Sequence, residues 1–121
     1  MTKNKESTRY YSELQEKRVA ENLNGSVCPN SGAGKFSKSD VQVKDASLSI
    51  ECKTCMTDKD SFSIKKSWFE KQKEEAFSNR LDNSVIAFNF GPSDKNDKFI
   101  IDYKLMRFLV EKLTEENTTL Y

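Results

Sequence analysis

Histidine is absent from this chain. That removes Ser-His-Asp and Cys-His catalysis, the HExxH zinc site, and any nuclease that relies on an imidazole as general base. Chemistry performed here falls to carboxylates, lysine, cysteine, serine or tyrosine. A dominant sign of charge is also missing. Twenty Lys and Arg against 19 Asp and Glu leave a net charge of +1, so overall basicity gives no argument for a polyanionic partner. Any basic surface must come from local clustering, mostly of lysine, because Arg9, Arg18, Arg80 and Arg107 are the only arginines. No apolar run approaches the roughly 20 residues of a membrane span. The polar stretch from Met1 to Arg9 reads as neither a signal peptide nor an anchor.

Cysteine is scarce and odd in number: Cys28, Cys52 and Cys55. An odd count with no secretory leader fits a reducing, cytoplasmic setting. Cys52 and Cys55 have CxxC spacing, but zinc would need Cys28 and a fourth ligand, and no histidine is available. Ordinary strand cysteines are the better reading. The Lys-, Asn- and Ser-rich usage fits an AT-rich genome such as that of a phage or mobile element.

The 121 residues suffice for one core and not two, and no repeat or low-complexity linker divides them. Residues 7–24 read as a helix in which Ser12, Glu16, Val19, Ala20 and Leu23 share one face, while Tyr10, Tyr11 and Leu14 occupy another. Asn24-Gly25 ends it. A small-residue loop over 26–39, with a short strand near Val27, leads to strands at 40–44 and 47–54 joined by a turn at 44–46. A second helix follows at about 64–79, with Ile64, Trp68, Gln72, Glu75 and Ala76 inward. Strands at 84–90 and 99–103 come next. A last helix at 104–116 carries Leu105, Met106, Leu109, Val110 and Leu113 on its core side, with Phe108 facing away. The order predicts a mixed α/β domain with helices packed on a central sheet.

The chemistry-bearing feature is Asp40, ten residues, then Glu51-Cys52-Lys53. Strand alternation sends Leu48, Ile50 and Cys52 one way and Ser49, Glu51 and Lys53 the other. A Glu and a Lys side by side on an otherwise apolar strand are costly unless something uses them. A divalent cation and a phosphodiester would use both. Mg²⁺ takes oxygen ligands, typically one or two carboxylates with water and phosphate. Asp40 and Glu51 on adjacent strands supply two, the Cys52 backbone carbonyl a third, and Glu16 on the inward face of the first helix a fourth. Lys53 would then orient the attacking water or stabilise charge on the phosphate. The bland alternative is a solvated strand face with a cross-strand ion pair, worth little.

This constellation resembles the PD-(D/E)XK nuclease superfamily, with Asp40, Glu51 and Lys53 on its D…ExK positions. Within the superfamily the chain is most similar to the small archaeal-type and phage Holliday junction resolvases. Those open with a glutamate-bearing helix that reaches a Gly nine residues later, then a Ser/Gly-rich loop, the aspartate, and an I-E-C-K-like strand. Here these are Glu16, Gly25, Ser31-Gly32-Ala33-Gly34, Asp40 and Ile50-Glu51-Cys52-Lys53. Gln72-Lys-Glu-Glu-Ala76 is similar to the family's Q-x-x-x-A, which gives Gln72 a supporting place. Ser39 stands where the family often has Pro. The resemblance spans residues 12 to 103.

It implies one restriction-endonuclease-like domain over 1–121, with residues 1–6 as a tail and a mixed sheet of four to five strands flanked by helices. It further implies Mg²⁺-dependent hydrolysis of DNA, with Mn²⁺ able to substitute, leaving 5′-phosphate and 3′-hydroxyl ends on branched DNA. Symmetric cutting of two strands implies a homodimer. Ser31, Gly32, Lys35 and Lys38 in the loop, and Lys65 and Lys66 at the start of the second helix, are the expected DNA contacts. The rivals are a nicking or restriction-type endonuclease on the same fold, or a catalytically silent nuclease fold that binds DNA or protein.

Overall fold

The computed structural model describes residues 8–29 and 39–120. Among these, five strands form one mixed sheet in the order β1-β2-β3-β4-β5, accompanied by three α-helices. The strands are β1 (Ser26–Val27), β2 (Val41–Val43), β3 (Leu48–Lys53), β4 (Asn83–Phe88) and β5 (Lys98–Ile100). The helices are α1 (Thr8–Leu23), α2 (Lys66–Ser78) and α3 (Tyr103–Leu120). Ser31, Gly32, Lys35 and Lys38 lie outside the described residues.

The sheet grows from local signals. Asn24 takes a left-handed conformation (φ 57°) and the Gly25 N–H donates to the Ala20 carbonyl at 2.8 Å, which closes α1. Gly25 serves a different need: a Cβ there would meet the Gln42 carbonyl oxygen at 2.7 Å, so glycine lets the chain pass against β2. β2 and β3 form an antiparallel hairpin through a 3₁₀ turn at Lys44–Ala46, with Val41 opposite Ile50 and Val43 opposite Leu48. β3 and β4 are parallel, in register from Leu48↔Asn83 to Lys53↔Phe88. Parallel strands need a crossover, and α2 supplies it.

The two sheet faces differ as strand alternation requires. Ile50 and Cys52 join Val41, Val43, Val85 and Ala87 under Val19 and Ala20 of α1 to form the core, with Leu48, Ile101 and Leu105 packed at its margin. Ser49 and Lys53 face α2, where Gln72 Nε2 donates to Ser49 Oγ at 3.2 Å and Trp68 meets the Lys53 ammonium.

Three packing expectations change. The buried seam of α1 is Gln15, Val19 and Ala20; Ser12 and Glu16 are half-buried beside it, and Leu23 is exposed. Ile64 precedes α2 and is exposed. On α3 only Leu105 of the expected core side is half-buried, while Met106, Leu109, Val110 and Leu113 stay exposed. Phe108, expected to face away, lines a groove beside Leu48 and Val85. Among the described residues of this helix, only Leu105 packs against the core, at its margin. No described helix is long and apolar enough to cross a membrane.

Candidate functional site

β3 outruns its neighbour, and this places the site. Pairing of β2 with β3 ends at Val41↔Ile50, after which the Asp40 N–H still donates to the Ile50 carbonyl at 3.0 Å. The Asp40 side chain then takes over from the backbone: its Oδ2 accepts the Cys52 N–H at 2.8 Å. A strand residue's N–H and C=O share one edge, so the Cys52 carbonyl is directed to the edge where Asp40 lies. Glu51 sits between these contacts, with Lys53 Nζ 3.3 Å from its Oε2.

Lys53 is held from a second side by the ring of Trp68, 4.5 Å from Nζ to the centroid, and Trp68 in turn packs on Phe62 at 6.2 Å. The end of β3 is tied to α1 as well. Gln15 Nε2 donates to the Lys53 carbonyl at 3.0 Å and lies within 3.3 Å of Asp97 Oδ1. Asp97 is fixed by Arg18, whose Nε is 2.6 Å from Oδ2. This brings Glu16, the residue after Gln15, to the same end of the strand. Beneath the site, the Gln72 amide donates to the Ser49 carbonyl at 3.0 Å, and Ser49 Oγ shares a buried hydrogen bond with Ser39. Gln72 thus braces the strand that carries Glu51 and does not touch the carboxylates.

The electrostatics join residues that are distant in sequence. Burial, then the Asp40 charge, then Glu13 and Glu51, raise Glu16 to about 7. Burial and Asp40 likewise raise Glu51 to about 7 against the opposing pull of Lys53. Burial holds the Cys52 thiol far above its ordinary range, so it stays protonated and is no nucleophile. None of Cys28, Cys52 and Cys55 is in a disulfide.

One carboxylate escapes the D…ExK pattern. Glu75 of α2 is 3 % exposed, its Oε1 has no hydrogen-bond partner, and burial raises its pKa despite Lys71 at 3.9 Å. Asp40 and Glu51 both feel its charge. The signal was present: Glu75 stands on the inward stripe with Gln72 and Ala76, as Glu16 stands beside Val19 and Ala20.

Lys65 and Lys66 are exposed at the start of α2, one turn before Trp68, and so lie at the same end of the sheet as Lys53. The first turn of α2 has no acidic residue and no side-chain cap, which leaves its positive dipole end unneutralised.

Among the described residues, no three His, Cys, Asp or Glu side chains close into a group that could hold a metal ion. Asp40 and Glu51 remain as a pair, and a pair with water and a carbonyl is the donor set that Mg²⁺ ordinarily takes. Burial chiefly lifts Glu16 and Glu51, and the repulsion from Asp40 that adds to it is the kind a divalent cation relieves. The residues present therefore fit such an ion. Comparison with protein-family models, curated proteins and solved structures finds no match to this chain.

Proposed function

We propose that this chain is a divalent-metal-dependent DNA endonuclease with a PD-(D/E)XK-type site on a restriction-endonuclease-like domain, acting as a homodimer on branched DNA as Holliday junction resolvases do. The observation that carries the reading is the Asp40–Cys52 hydrogen bond beside the Glu51–Lys53 pair. It sets the aspartate that precedes β2 against the Glu-x-Lys of β3, where the pairing of the two strands ends.

In this reading Asp40, Glu51 and the Cys52 carbonyl would hold Mg²⁺, or Mn²⁺ in its place, and Glu16 would meet the cation through a metal-bound water. The cation, when bound, acidifies water and neutralises charge on the phosphate. Lys53, steered by Trp68 and Glu51, donates to the attacked phosphate or to the incoming water. Glu16, at about 7, can hold or release a proton near neutral pH. Lys65 and Lys66 give the DNA backbone a cationic approach to the same end of the sheet.

The test is a cleavage assay with Mg²⁺ on a labelled four-way junction beside linear and supercoiled duplex. Paired symmetric cuts in the junction are expected. Nicked circles alone would move the assignment to a nicking or restriction-type enzyme. A second reading, a silent nuclease fold that only binds, draws on the closed Glu51–Lys53 ion pair and the lack of a three-ligand group among the described residues. Binding without cleavage in either Mg²⁺ or Mn²⁺ would establish it.

A further inference from the structure

Glu75 lies near the site and has no task in the reaction as proposed. It belongs to the α2 stripe Trp68–Gln72–Glu75, at i, i+4, i+7, which is laid on the sheet. α2 runs antiparallel to β3, because Trp68 meets Lys53 and Gln72, one turn on, meets Ser49. A long helical side chain leans back toward the N-terminus of its helix. The Glu75 carboxylate is thereby carried toward the end of β3 that bears Glu51, on the sheet face of Ser49, Glu51 and Lys53. Gln72 fixes the distance between helix and strand: its amide donates to the Ser49 carbonyl at 3.0 Å, and Ser49 Oγ bonds the hydroxyl of Ser39. Glu51 stands two residues beyond Ser49 and Asp40 one beyond Ser39. Both carboxylates therefore border the patch of sheet that α2 covers at Gln72.

The Glu75 carboxylate is short of a donor. The residue is 3 % exposed, and its Oε1 is buried with no hydrogen-bond partner. An ionised oxygen in that position is costly until a donor or a cation meets it. Lys71 does not meet it: its ammonium is 3.9 Å from the other oxygen, Oε2, and is largely exposed. Beyond α2, the charges that act on Glu75 are those of Asp40 and Lys53, and Glu75 acts on Glu51 in turn. The open oxygen is thus within electrostatic reach of the site.

We propose that Glu75 is a positioning residue of the cation site: its Oε1 accepts a hydrogen bond from a water carried by the divalent ion that Asp40 and Glu51 hold. Mg²⁺ ordinarily keeps several of its waters, and a hydrogen bond to an ionised acceptor is a strong one. A buried carboxylate without a donor is matched to such a water. A third carboxylate one water away also fits the lack of a three-ligand group among the described residues. Partners one contact beyond the ligands set the affinity of a metal site and the orientation of what it binds. Glu75 so gives α2 a part in holding the ion, while Gln72 braces the strand that carries Glu51. The inference rests on the proposed cation site and deepens it.

The test is Mn²⁺ binding to the full chain, read from the electron paramagnetic resonance signal of the free ion. The wild type is compared with Glu51→Gln, Glu75→Gln and Glu75→Met, and neither DNA nor cleavage is needed. The wild type should bind the ion and Glu51→Gln should lose it. Glu75→Gln keeps the shape, removes the charge and should weaken binding by about tenfold. Glu75→Met removes the acceptor as well and should weaken it at least as far. In chelating buffer both Glu75 variants should melt no lower than the wild type, because only a weak ion pair with an exposed lysine is lost. Should Glu75→Gln fail to fold, Glu75→Met carries the comparison. Water proton relaxation in the Mn²⁺ complex gives a readout that packing alone would not move: a water held by Glu75 should exchange more slowly in the wild type than in either variant. Wild-type affinity in both Glu75 variants, with binding lost in Glu51→Gln, would overturn the inference and leave the cation site standing. Loss in Glu75→Gln as complete as in Glu51→Gln would make Glu75 a direct ligand and overturn its action through water. A wild type that binds no Mn²⁺ would remove the cation site itself, and the inference with it.

Discussion

The carboxylate of Asp40 accepts the main-chain N–H of Cys52 at 2.8 Å, twelve residues on. It thereby completes the ladder that β2 leaves unfinished, and its charge still acts on Glu16 and Glu51. Asp40→Asn keeps an acceptor for this bond, whereas Asp40→Ala does not. Asp40→Asn should therefore retain the fold and DNA binding and lose cleavage. Asp40→Ala should cost a further 1–2 kcal/mol or so in urea denaturation, the range for stranding a buried donor. If Asp40→Asn cleaves at the wild-type rate, the residue has only the structural half of this role.

Glu16 and Glu51 set a pH dependence with a defined sign. Both are raised from 4.5 to about 7 in the folded protein, chiefly by burial and the Asp40 charge. Between those values the folded state binds more protons than the unfolded chain. Their contribution is thus fully present below about pH 4.5 and lost as pH rises through about 7. In a chelating buffer the melting temperature should fall from about pH 5 to about pH 8. Glu16→Gln or Glu51→Gln should flatten that fall and stabilise the protein at the upper end. Asp94, held at about 2 mainly by its hydrogen bond from Lys98, titrates well below this window. At about pH 8, Mg²⁺ should raise the melting temperature of the wild type and not of Glu51→Gln, by linkage to binding. Thermal scans at paired pH values read both effects.

Trp68 fixes Lys53 from above while Glu51 fixes it from the side. Trp68→Leu keeps an apolar side chain but removes the ring face. The single-turnover cleavage rate should fall about tenfold, equivalent to ~1.4 kcal/mol of transition-state stabilisation, with DNA affinity little changed. Trp68→Phe should recover much of the rate because a cation–π contact survives. Equal reductions in binding and cleavage would assign Trp68 to the DNA surface.

Under the proposed function, the exposed lysines at the start of α2 would meet phosphates and not bases. Lys65→Ala and Lys66→Ala should weaken binding for all DNA shapes. Each should reduce the slope of log affinity against log salt by about 0.9 for every phosphate that is no longer neutralised. Lys35→Ala and Lys38→Ala, the other expected phosphate contacts, should act alike. Fluorescence anisotropy at several salt concentrations measures the slope.

Much of this was legible in the sequence because period and punctuation are local. Alternation in 48–53 separated Ile50 and Cys52 from Glu51 and Lys53, and Asn24-Gly25 marked the end of α1. Gln15 was not legible. Its amide is buried only because the Lys53 carbonyl and Asp97, 38 and 82 residues away, converge on it. Glu75 and Trp68 were visible as inward residues of α2, but nothing local said that they face the carboxylate site. The core side of α3 was not legible either, because its apolar arc is broader than one neighbour can cover, and periodicity does not tell which part of the arc meets the sheet.

By itself the sequence determined the elements, the faces of the central strand, and the D…ExK pattern with its helix glutamate. These follow from spacing along the chain. Only the tertiary structure decided that β2 stops one residue short, so that the Asp40 side chain bonds Cys52 and lies beside Glu51. Only it decided that Trp68 covers Lys53, that Gln15 occupies the buried seam, and that α3 leaves a stripe open. Those facts depend on where separate elements cease to cover one another, and chain-local pattern carries no measure of that.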